Sequence, residues 1–101
     1  MKVIADLTII PIGVGVSLSR YIAACEAVLD RPGLETSLHP NGTNIEGEWD
    51  LVFRAIRECH EKIHAMGAPR IHTNIKLGTR VDREQTMEDK VASVRGRLQG
   101  G

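Results

Sequence analysis

The chain has 101 residues, with 13 basic and 13 acidic side chains and one each of Trp, Tyr and Phe. At this length one compact soluble domain covering residues 1–101 is expected, and two would not fit. A formal charge of zero argues against a nucleic-acid partner, because binding a phosphate backbone needs clustered Lys and Arg. The zero hides an asymmetry: residues 1–50 carry three basic and seven acidic groups, residues 51–101 ten and six. No run approaches the roughly 20 apolar residues that cross a bilayer, so no membrane partner is expected.

Val3 to Ile10 is β-branched and apolar, with Asp6 and Thr8 as its only polar members, until Pro11, Gly13 and Gly15 break it. The pattern predicts a buried strand. The run is short and has no small-residue cleavage site behind it, so a signal peptide is not expected and the protein should be cytoplasmic. Ser17 and Ser19 are suitable N-caps for a helix whose apolar positions are Leu18, Ile22, Cys25 and Leu29, stopped by Arg31, Pro32 and Gly33. Leu34–His39 and Thr43–Gly47 alternate around Pro40, Asn41 and Gly42, which predicts a β-hairpin whose second arm Gly47 shortens.

From Trp49 to Met66 the stripe Val52, Ile56, Cys59, Ile63 and Met66 predicts a second helix, with Gly67 as the glycine that satisfies its end. Arg70–Leu77 alternates again and predicts a fourth strand. After a charged loop, Thr86 and Asp89 have the spacing of a capping box, and Met87, Val91, Val94 and Leu98 that of a third helix. Cys25 and Cys59 both fall on apolar helix stripes outside any CxxC pattern, so reduced, packed thiols are expected.

This order predicts an α+β fold: a ferredoxin-like βαββαβ sandwich with a four-stranded antiparallel sheet and an extra C-terminal helix. Two helices then cover one sheet face. The other face would carry either Val3, Ala5, Leu7 and Ile9 or Ile4, Asp6, Thr8 and Ile10 from strand one. Both sets look too apolar for water, so a second subunit is expected there.

No catalytic constellation stands out. The serines and cysteines have no His and acid at spacings that suggest a triad. His60 and His64 have the spacing of two metal ligands, but Cys59 faces the core and no third ligand follows, so no metal is expected. Trp49, Phe53, His60 and His64 lie about 60° to 120° around the second helix from its core stripe. That flank either meets a neighbouring subunit or borders a pocket where Trp49 can stack on a flat ring. Glu46 and Glu48 beside the indole would suit an amino-bearing or cationic heterocycle, or would simply favour the helix N-terminus.

Several segments together resemble the small YkoF-like thiamine-binding protein family over nearly the whole chain. They are Pro11-Ile-Gly-Val-Gly-Val-Ser-Leu-Ser-Arg-Tyr21, His39-Pro-Asn-Gly-Thr43, Glu46-Gly-Glu-Trp-Asp50, Met66-Gly67 and Thr73-Asn-Ile-Lys76, then Arg80, Asp82 and Asp89-Lys90. Asn41 departs from the pattern, which has an apolar Met there. The resemblance implies noncatalytic binding of thiamine or its hydroxymethylpyrimidine part, without a cofactor, by a homotetramer built as a dimer of dimers. It points to Trp49 as a stacking wall, to Glu46 or Glu48 as acceptor for the aminopyrimidine, and to Ser17 and Thr43 as hydrogen-bond partners near a subunit boundary. Asn44 and Tyr21 are further candidates. A small enzyme with His60 or His72 as base, or an assembly module without a ligand, are the competing readings.

Overall fold

The computed structural model describes residues Met1–Gly100. Its elements are β1 (Lys2–Ile12), α1 (Ser19–Leu29), β2 (Glu35–His39), β3 (Gly42–Glu48), α2 (Trp49–Ala65), β4 (Arg70–Thr79) and α3 (Met87–Gly100). The strands form one antiparallel sheet in the order β2-β3-β1-β4. This is the ferredoxin-like βαββαβ arrangement with a C-terminal helix added.

Strand periodicity sets the core. Val3, Ala5, Leu7 and Ile9 of β1 and Ile45 of β3 are buried on the helix side, against Cys25 and Leu29 of α1 and Val52, Ile56, Cys59 and Ile63 of α2. Both thiols are free and buried, and the Cys59 thiol lies 3.7 Å from the Cys25 carbonyl oxygen. The Cys25 thiol beside it and burial together push the Cys59 thiol above its ordinary range. Arg31 ties the end of α1 to α2: its Nε donates to the Val28 carbonyl at 3.0 Å and its guanidinium to Glu58.

The opposite sheet face carries the alternate set. Ile4, Asp6, Thr8 and Ile10 are half-buried there, and the strand register places Asn44, Glu46, His72, Asn74 and Lys76 on the same side. The expectation of a strongly apolar bare face is therefore corrected. Only the β1 isoleucines supply it, because the neighbouring strands contribute polar residues.

Local details also differ. Neither Ser17 nor Ser19 caps α1: Leu18 holds the N-cap position without a side-chain bond, and its carbonyl accepts from Tyr21 and Ile22 at 3.0 and 3.1 Å. Gly47 does not shorten β3, which continues to Glu48. A Cβ at Gly47 would lie 2.7 Å from Leu34 Cδ2 and 2.9 Å from the Gly33 carbonyl oxygen, so the glycine permits a close approach between β3 and the loop before β2. β4 runs two residues further than predicted and pairs with β1 from Val3 to Ile12. The α2 end and the α3 start match expectation. Gly67 follows α2 with φ +105°, and Thr86 and Asp89 exchange two hydrogen bonds of 3.0 Å.

Candidate functional site

The β2–β3 hairpin turns through Pro40 and Asn41 alone, since His39 already pairs with Gly42. β3 therefore begins opposite Leu7, and β1 from Thr8 to Ile12 pairs only with β4. The strand edge left open beside the hairpin tip is roofed by α1. The result is a cavity of about 340 Å³ between α1 and the hairpin, lined by Leu18 at the N-cap of α1, Ile22 and Glu26 of α1, Leu38, Asn41 and Thr43 of the hairpin, and the Leu7–Ile10 stretch of β1.

The walls are mainly apolar, with a few polar groups held in place. The Thr43 hydroxyl donates to the Glu26 carboxylate. His39 Nδ1 accepts from the Asn41 amide at 3.3 Å, so its Nε2 carries the proton and donates to Asp6 Oδ1 at 2.8 Å. The Thr8 hydroxyl donates to the Asn41 carbonyl at 2.9 Å and pins the hairpin tip to β1. An apolar cleft with one carboxylate and a few oriented polar groups is the usual form of a small-ligand site.

The sequence-derived candidates separate. Thr43 lines the cavity. Tyr21 is buried in the core, its hydroxyl accepting from Arg20 at 2.7 Å, and Ser17 is exposed in the glycine loop before α1. Asn44 and Glu46 project onto the open sheet face, beneath the start of α3. Glu46 is 6% exposed and accepts from the Met87 amide at 2.6 Å, with Lys2 Nζ 3.8 Å from its other oxygen. Its carboxylate thus satisfies the first turn of α3, a partner 41 residues away. Glu46→Ala is expected to leave the core intact while amide exchange across Val91–Arg95 accelerates at least tenfold, measured by hydrogen-exchange mass spectrometry.

Glu48 takes the N-terminal ammonium at 2.8 Å, which holds its carboxyl below the ordinary range. Trp49 is 39% exposed and packs on Phe53 with ring centroids 4.9 Å apart. Both stand where β1 starts, away from the hairpin tip, so Thr43 and Trp49 do not share a cavity.

The α2 histidines serve the fold. His60 Nε2 and Thr73 Oγ1 share a 2.6 Å hydrogen bond, and His64 Nδ1 donates to the Ala68 carbonyl at 2.8 Å. Among the described residues no three His, Cys, Asp or Glu are grouped to hold a metal ion. Burial first, and the His64 charge second, lower the His60 pKa below its ordinary 6.5. The unfolded chain then binds the proton more readily, so stability present above pH 6.5 is lost as pH falls below it. Melting temperatures taken between pH 7.5 and 5.5 are expected to fall, and to fall less in His60→Gln.

The feature that sequence reasoning missed is Glu26. It sits four residues after Ile22 and three before Leu29, on the apolar side of α1. That spacing was a usable signal, since a carboxylate in a buried stripe needs a partner.

The topology defines a ferredoxin-like α+β protein with a partly open, mainly apolar cleft between its first helix and its hairpin. The sequence profile described as thiamine-binding protein matches residues 5–95. A UPF0045 protein of Synechocystis, sll0230, is 56% identical over 94 residues, covering 93% of this chain and 78% of the relative. The crystal structure of hypothetical protein MJ1052 from Methanocaldococcus jannaschii superposes with a TM-score of 0.86 at 31% identity, covering 93% of this chain and 96% of that one. A Thermotoga maritima structure, described as a proposed thiamine biosynthesis/salvage protein, shares the fold with a TM-score of 0.79 at 20% identity, covering 94% and 100%. The chain belongs to the thiamine-binding protein family. None of its described helices is long and apolar enough to cross a membrane.

Proposed function

We propose that the chain binds thiamine or its hydroxymethylpyrimidine part without transforming it, as a subunit of a cytoplasmic homotetramer arranged as a dimer of dimers. Membership of the family supports the ligand class. The observation that carries the reading is the Glu26–Thr43 pair in the apolar cavity under α1. A volume of about 340 Å³ falls in the range, about 300–1,000 Å³, of small-molecule sites. The Glu26 carboxylate would accept from the amino group of the pyrimidine. Leu18, Ile22 and Leu38 would flank the ring, and a cationic thiazolium would gain from the same negative charge.

The unpaired edge of β1 beyond Leu7 adds backbone donors and acceptors at the cavity wall. The segment Glu46–Trp49 is the competing location, completed by a neighbouring subunit. Titration calorimetry with thiamine and with hydroxymethylpyrimidine tests the reading. Saturable heat from either compound supports it, and neither heat nor a thermal shift overturns it. An altered pyrimidine recovered after incubation would favour a small enzyme instead. Unchanged affinity in Glu46→Gln and Trp49→Ala would remove the competing pocket.

A further inference from the structure

The contact between α1 and α2 holds two nucleophilic groups that the proposed ligand chemistry does not use. Cys25 follows Ile22 by three residues on α1, and Cys59 follows Ile56 by three on α2. Each therefore sits on the buried stripe of its helix, and the two helices pack on each other. Ala55, one turn before Cys59, is fully buried as well, so small side chains make this part of the contact and the helices can approach closely. The Cys59 sulfur accordingly reaches the backbone of α1, 3.7 Å from the Cys25 carbonyl oxygen, with the Cys25 thiol beside it. The chain contains no other cysteine.

The two thiols differ in access. Cys59 is fully buried, whereas Cys25 belongs to the wall of the partly open cavity between α1 and the hairpin. The mainly apolar lining of that cavity suits a small uncharged solute. They differ in protonation too. The neighbouring Cys59 thiol holds the Cys25 thiol below its ordinary range, against burial and the Glu26 charge, which act the other way. The thiolate is the attacking form, and a packed thiol without a path from solvent is inert. Cys59 fits the second description, so a solute in the cavity meets Cys25 first, with Cys59 as the protonated thiol behind it.

We propose that Cys25 and Cys59 form an oxidisable pair, in which Cys25 reacts with a small peroxide at the cavity wall and Cys59 then closes a disulfide between α1 and α2. In the first step the Cys25 thiolate attacks a peroxide oxygen. The S–O bond forms, the O–O bond breaks, and the departing hydroxide takes a proton to become water, leaving Cys25 as the sulfenic acid. In the second step the Cys59 sulfur attacks that of Cys25. The S–S bond forms, the S–O bond breaks, and the Cys59 proton leaves with the hydroxyl group as a second water. The two thiols together lose two electrons, and the peroxide gains them. Thiol reductants reverse the bond, which tethers to α2 the helix that carries Glu26. The pair stands independently of the thiamine reading, because it requires only that the cavity admit a peroxide.

Intact-mass spectrometry of the reduced, folded protein after exposure to hydrogen peroxide tests the pair. The wild-type chain is expected to lose two hydrogens and to regain them with dithiothreitol. Urea below the unfolding transition should leave the rate unchanged within about twofold. Oxidised methionine adds oxygen instead, so the two products differ in mass. In Cys59→Ala, dimedone should tag Cys25 as the sulfenic acid, and in Cys25→Ala it should leave Cys59 untagged. A wild-type chain that keeps both hydrogens, a rate that climbs with urea because only unfolding exposes the thiols, or a tag on Cys59 would each overturn the proposal. If either variant fails to melt cooperatively, iodoacetamide labelling of the folded wild type decides: Cys25 labelled first supports the pair, and Cys59 first or equal labelling overturns it. A chain that binds no thiamine can still give every expected result.

Discussion

Gly47→Ala is expected to destabilise the fold by about 2–3 kcal/mol in urea denaturation, the range of an overpacked core position with a backbone contact. The new methyl would meet Leu34 Cδ2 at 2.7 Å, Val52 Cγ2 at 3.4 Å and the Gly33 carbonyl oxygen at 2.9 Å. Leu34 can turn aside, but the carbonyl belongs to a loop whose own glycine, Gly33, holds φ +91° against Leu51. Relief therefore requires β3 to move away from that loop, and with it Ile45, which is fully buried on the same strand. Gly78→Ala supplies the control. No atom lies within 4 Å of its built Cβ and its φ is ordinary for any residue, so a change within about 0.5 kcal/mol is expected. Equal effects at the two positions would show that backbone entropy, and not the close approach, decides the cost at Gly47.

Glu26→Gln is expected to weaken thiamine binding about 10- to 150-fold by calorimetry, the loss of one charge-assisted hydrogen bond of about 1.5–3 kcal/mol. The amide keeps the shape of the side chain and an acceptor for the Thr43 hydroxyl, so the fold should persist. What disappears is the negative charge facing the amino group and the thiazolium. Thr43→Val should have a smaller effect, because it removes the group that orients the carboxylate and leaves the carboxylate itself. Trp49→Ala should change affinity less than twofold, given the separation of Trp49 from this cavity. The reverse pattern, with Glu26→Gln silent and Trp49→Ala weakened, would move the site to the start of α2.

The element order was legible because its signals are local. Gly13, Gly33, Pro40 and Gly67 punctuate the chain, although β1 runs through Pro11, expected to break it, to Ile12, and the α2 stripe from Val52 to Ile63 repeats at helical spacing where the structure buries it. The motifs from Pro11 to Lys90 carried the family for the same reason, since they are read in register along the chain. What was not legible depends on residues distant in sequence. Glu46 looks like a ligand acceptor until the Met87 amide arrives from 41 positions away. Gly47 looks like a strand breaker until Leu34 and Gly33 are brought against it. Which face of β1 lies open follows from the whole sheet, since the two alternating sets of its side chains differ too little for strand periodicity to choose between them.

The hairpin tip has a consequence for ligand kinetics. Pro40 and Asn41 form a two-residue connection fastened to β1 by Thr8 and internally by His39. That wall of the cavity is already in place before a ligand arrives, so little chain has to be ordered on binding. For a ligand in the proposed site, the open side between α1 and the exposed Leu38 side chain would serve for entry and exit without the hairpin having to swing. Ligands that differ only in how well they engage Glu26 should therefore associate at similar speeds and differ in residence time.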